Sequence, residues 1–143
     1  MHQMVCRTFM PAILVVLTAF GSPVLAAEKK VVLQISDGSG DKQTLVLNVA
    51  NNLQKHYGVN NIKLEVVAFG PGLRLLFDDN ANKNRVDNLA QNGVQFSACQ
   101  NTAEKMTKIL GHPPTLIKSA VPVSAGAARI IELSEQGYTV IRP

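Results

Sequence analysis

From Lys30 onward the chain changes its hydrophobic period repeatedly, and this constrains its fold more than any other feature. Short runs of Val, Ile and Leu alternate with segments whose apolar residues return every three or four positions. Residues 30–36 (KVVLQIS) read as a strand, closed by the turn-rich Asp37-Gly38-Ser39-Gly40. From Asp41, which this reading makes the helix cap, Leu45, Val49 and Leu53 fall on one stripe. Gly58 ends that helix after His56. Residues 62–69 (IKLEVVAF) form a second strand, followed by Gly70-Pro71-Gly72 and a short apolar helix at 73–77. A helix at 85–92, a strand at 94–98, a helix at 101–110, an extended run at 115–121, a helix at 124–136 and a strand at 138–141 complete the series. Strand-helix alternation of this kind demands crossovers and hence parallel pairing. The expected fold is an α/β three-layer sandwich on a five-stranded, mainly parallel sheet, flavodoxin-like or Rossmann-like.

The 143 residues suffice for one domain. Charged residues make up 17% and the chain has only two cysteines, which excludes a disordered tail, a disulfide-stapled miniprotein and a four-thiolate zinc ribbon. The net charge of +4 raises the question of nucleic acid. The basic residues are scattered, however, with no charged stripe and no interleaved aromatics, so nucleic acid is not an expected partner. No HExxH, phosphate-binding glycine motif or spaced His/Cys set is present, so no metal and no cofactor is expected.

Residues 1–26 read as an export signal. Arg7 precedes the apolar run 12–20 (AILVVLTAF), Gly21 and Pro23 break it, and Val24-Leu25-Ala26 supplies a small-residue cleavage site. The run falls well short of the roughly 20 residues needed to span a bilayer. The expectation is therefore cleavage after Ala26, a mature domain at 27–143, a periplasmic or secreted location and no stable membrane insertion. Cys6 would leave with the signal, and Cys99 would be the only thiol.

Sites in open parallel sheets form at the carboxyl ends of strands. Three segments reach that edge. The 36–41 loop carries Asp37 and Asp41, which would repel phosphate, and reads as a turn. The Gly70-Pro71-Gly72-Leu73-Arg74 segment reads as a loop-to-helix turn, with Gly70, Gly72 and Arg74 as possible anion or ligand contacts. The sharpest candidate is Cys99, directly after a strand and before a helix capped by Asn101, with Glu104 completing a capping box. Amides at Asn101 and Thr102, the helix dipole and Lys105 would favour the thiolate at an exposed edge. The alternative is a small buried hydrophobe, as free cysteines often are.

The segments 66–76 (VVAFGPGLRLL), 93–102 (GVQFSACQNT) and 121–143 (VPVSAGAARIIELSEQGYTVIRP) resemble the DsrE/DsrF-like family, most specifically in Cys-x-Asn-Thr and in the last helix running into Gln136-Gly137-Tyr138. The resemblance implies a three-layer α/β fold, a homotrimer or homohexamer, and a sulfur relay in which one cysteine carries a persulfide and hands it to a partner thiol. Cys99 matches that cysteine. The expected function is thus an exported sulfur carrier with a thiol-bearing donor or acceptor protein. A non-catalytic oligomeric binding module and a small-ligand binder of the same fold are the alternatives.

Overall fold

The computed structural model describes residues 28–143, so the export segment read at 1–26 lies outside the described residues. The elements run β1 (Lys29–Ile35), α1 (Gly40–Tyr57), β2 (Ile62–Ala68), a 3-10 helix (Gly70–Leu76), α2 (Lys83–Gln91), β3 (Gln95–Cys99), α3 (Gln100–Leu110), β4 (Ala120–Val123), α4 (Gly126–Glu135) and β5 (Thr139–Ile141). The strands make one five-stranded sheet in the order β4-β3-β2-β1-β5. Every neighbouring pair is parallel, so the α/β sandwich is parallel throughout.

This order sorts the helices between the faces. The first three crossovers step in one direction across the sheet, and right-handed connections then put α1, α2 and α3 on the same side. The last connection returns from β4 to the far side of β1, which sends α4 to the opposite face. The packing agrees. Val31, Leu33, Ile35, Leu64, Val66, Phe96 and Ala98 form a large core with Val46 and Leu47 of α1, Val86 of α2 and Leu73 of the 3-10 helix. The other face has a small cluster, Val32, Val67 and Leu133, with Phe69, Ile130 and Tyr138 against it. Register places Glu65, Ser97 and Cys99 on this second face, because neighbours in sequence point to opposite sides of a strand.

Several local expectations are corrected. Asp41 is not the cap of α1: Ser39 is, and its hydroxyl accepts the Lys42 N–H at 3.3 Å. The buried stripe of α1 is Gln43, Val46, Leu47, Ala50 and Gln54, while Leu45 is exposed. The stripe through Leu45 is offset because Gln43 and Gln54 are buried polar residues. Gln43 donates to the Gly38 carbonyl at 3.1 Å and Gln54 to that of Asn92 at 2.8 Å. The extended run at 115–121 is a strand only at its end. Its earlier part makes a single antiparallel bridge, Leu116 to Phe77, and β4 begins at Ala120. Pro122 is accommodated because β4 is an edge strand.

Candidate functional site

Cys99 ends β3 and is itself the N-cap residue of α3, with extended φ and ψ of −68° and 116°. Asn101 lies inside the first turn and is not the cap, and the capping box with Glu104 does not form. The sulfur therefore sits at the cap position beside the orphan amides of the first turn, without making a cap hydrogen bond to them. A second helix start converges on it. The β4–α4 connection folds over the end of β3, where the Asn101 N–H donates to the Ser124 carbonyl at 3.2 Å and the Gly126 amide lies near the Cys99 sulfur. This cover leaves Cys99 only 5% exposed, so the expected open strand edge is closed at this position.

Burial by itself raises the pKa of the thiol. The Thr102 hydroxyl and the N–H groups of Gly126, Thr102 and Asn101 lie around the sulfur and favour its charged form, and together they outweigh burial. The pKa falls below its ordinary value of 9.0. The leading stabilisers of the thiolate are thus hydrogen-bond donors from two helix starts, not Lys105. Thr102 is oriented for the task, because its Oγ1 accepts the Gly70 N–H at 3.0 Å and keeps its own proton for the sulfur.

The same face carries a polar network that the sequence reading missed. Glu65 is 3% exposed in the middle of β2. Its carboxylate receives Arg129 Nε and Nη2, each at 2.8 Å, and the Ser97 hydroxyl at 2.6 Å. Gln95 donates to Ser97 at 3.2 Å. The carboxylate beside Arg129 pushes the guanidinium pKa up, and Glu132 at 3.5 Å adds to this. Two signals were available: a lone acid within the apolar run IKLEVVAF, and a lone base in the small-residue start of α4.

A cavity of about 1070 Å³ lies beside this site, on the α1–α3 side of the sheet. Gly70, Arg74, Asn101, Thr102, Lys105 and Met106 are among its lining. It thus brings together most of the residues singled out from the sequence, and its volume suits a small organic ligand. Cys99 is not part of the lining; Thr102 links the cavity wall to the sulfur. Gly72 also stays outside. It is buried against β1, where a Cβ would stand 2.5 Å from the Ile35 carbonyl oxygen, so it serves the close approach of the 3-10 helix to the sheet. Among the described residues no His/Cys/Asp/Glu group has the arrangement of a metal site, and no helix is long and apolar enough to cross a membrane.

No family model and no curated protein matches the chain. Among solved structures it is similar to a protein of unknown function, MTH1491 from Methanobacterium thermoautotrophicum, at 27% identity and a TM-score of 0.73. The likeness covers 81% of this chain and the whole of that one, and it extends the parallel α/β architecture to a second protein.

Proposed function

We propose that the protein is an exported sulfur carrier of the DsrE/DsrF-like kind, with Cys99 as the persulfide-bearing residue. One observation carries this reading: the one thiol among the described residues lies at the meeting of two helix starts, with the Thr102 hydroxyl and the amides of Gly126, Thr102 and Asn101 around it favouring its thiolate. The thiolate attacks the outer sulfur of a donor persulfide. A new S–S bond forms at Cys99, the donor S–S bond breaks, and its electron pair leaves with the donor thiolate. A partner thiolate then takes the outer sulfur from Cys99 by the same exchange, with no net oxidation. One cysteine suffices, because no resolving thiol takes part. The resemblance adds a homotrimer or homohexamer and a thiol-bearing partner protein.

The test is intact-mass analysis after treatment with a small-molecule persulfide, in a Cys6→Ser background that leaves Cys99 as the only thiol. The protein should gain one sulfur atom, lose it to reductant, and gain none with Cys99→Ser. A free Cys99 thiol that never takes up sulfur defeats the carrier reading. The cavity lined by Arg74 and Lys105 favours a second reading, a small-ligand binder in which Cys99 is incidental. That reading requires ligand binding that survives Cys99→Ser and is lost with Arg74→Ala.

A further inference from the structure

We propose that the Glu65–Arg129 ion pair is a positioning device for Cys99: it pins the first turn of α4 to β2 and so holds that helix start beside the Cys99 sulfur, where the β4–α4 connection is bonded over the end of β3 by the Asn101 N–H on the Ser124 carbonyl at 3.2 Å. Arg129 is three residues beyond Gly126, and its own N–H closes the first turn on the Ala125 carbonyl at 3.0 Å. Its guanidinium grips both oxygens of Glu65 in a fork that fixes orientation as well as distance. Glu65 is fixed in turn by Ser97, which lies two residues before Cys99 on the same face of β3. Few apolar contacts hold α4 down: Leu133 is its one fully buried large side chain, near the far end of the helix. At the end that meets the sulfur, the ion pair supplies the anchor. A buried pair is a weak source of net stability, since desolvation offsets much of the attraction, whereas it fixes geometry well.

The charged groups on this face include Lys30 and Lys63 on the strands, Glu28 paired to Lys63 at 2.8 Å, Glu65 on β2, and Arg129 and Glu132 on α4. Positioning and direct charge effects therefore predict opposite signs for one variant. If Glu65 acted on Cys99 only through its charge, Glu65→Gln would remove a nearby negative charge and lower the thiol pKa. If it acts by holding α4, the same change frees the helix start and raises the pKa.

The experiment measures the pH dependence of Cys99 alkylation by iodoacetamide, in the full chain with Cys6→Ser. Glu65→Gln and Arg129→Lys should each raise the thiol pKa and reduce the thiolate fraction at neutral pH, and with it the alkylation rate, by up to about tenfold, the size of one lost polar contact to an ionised group. Arg129→Lys is the milder variant: it keeps the charge and loses only the fork, so it reports on positioning even where Glu65→Gln unfolds the chain. A lowered or unchanged pKa in folded Glu65→Gln, or an unchanged pKa in Arg129→Lys, overturns the proposal. The inference rests on Cys99 being the ionised thiol proposed above, but the two can fail separately. Protein that takes up sulfur while neither variant moves the pKa keeps the carrier and loses the clamp. Variants that raise the pKa in a protein that never takes up sulfur do the reverse.

Discussion

The Gly70 N–H donates to Thr102 Oγ1 at 3.0 Å, and this bond decides what the Thr102 hydroxyl can do. With a lone pair engaged by the amide, the hydroxyl proton is free to point at the Cys99 sulfur. The loop that begins the 3-10 helix thereby takes part in setting the ionisation of a thiol on a different strand.

Thr102→Val tests this link with little change in shape. The valine cannot accept from Gly70, whose amide is then stranded, and it cannot donate to the sulfur. The variant should lose about 1–3 kcal/mol of stability for the unsatisfied amide, and its thiol pKa should rise. Denaturant unfolding and pH-dependent alkylation read the two effects separately. A variant as stable as the wild type, with an unmoved thiol pKa, would sink the link.

Stability itself should depend on this thiol. The folded pKa lies below the 9.0 of the ordinary thiol, so between those two values the unfolded chain binds more protons than the folded one. The contribution of Cys99 to stability is full above 9.0 and disappears as pH falls through the folded pKa. Unfolding free energy of the wild type relative to Cys99→Ser should consequently increase as pH rises through that window. A difference that stays flat or shrinks with rising pH contradicts the assignment.

The alternation of periods made the sheet legible, because the three inner strands β1, β2 and β3 are buried and every crossover needs a helix of its own. Helix faces were harder to read. Gln43 and Gln54 are buried by pairing with distant carbonyls, which an apolar-period reading counts as solvent positions. The candidate thiol was legible from its place between strand and helix. Its second helix start was not, because Gly126 reaches Cys99 through β-sheet order, and no local spacing encodes that. Glu65 and Arg129 stand 64 residues apart, and their pairing likewise follows from strand order.

The proposed oligomer has a specific surface to be tested on. The α4 face of the sheet leaves Val121, Ile131 and Val140 exposed at 43%, 60% and 42%. If copies assemble through this face, Ile131→Lys should shift the species seen by light scattering toward the monomer while leaving the fold intact by circular dichroism. A wild type that is monomeric at every accessible concentration removes the assembly altogether.

The start of α4 has room for glycine only. A Cβ on Gly126 would stand 2.9 Å from Phe69 Cβ and 3.0 Å from its Cδ1, closer than carbon atoms pack. Two effects of Gly126→Ala compete. Alanine is the better helix former by about 1 kcal/mol at interior positions. Overpacking costs about 1–3 kcal/mol, and here it falls at the first helical residue, where the propensity gain is smallest. The overlap should win, with α4 displaced from Phe69. The Gly126 amide then leaves the sulfur, and the thiol pKa rises toward 9.0 together with the loss of stability. Adding Phe69→Ala makes room for the new methyl group. The double variant should recover a thiol pKa near that of the wild type even though it forfeits the Phe69 packing against Val32, Val67 and Leu133. Alkylation profiles of the two single variants and the double variant decide the matter. A double variant with a thiol pKa as high as that of Gly126→Ala would mean that the overlap with Phe69 is not what moves the helix.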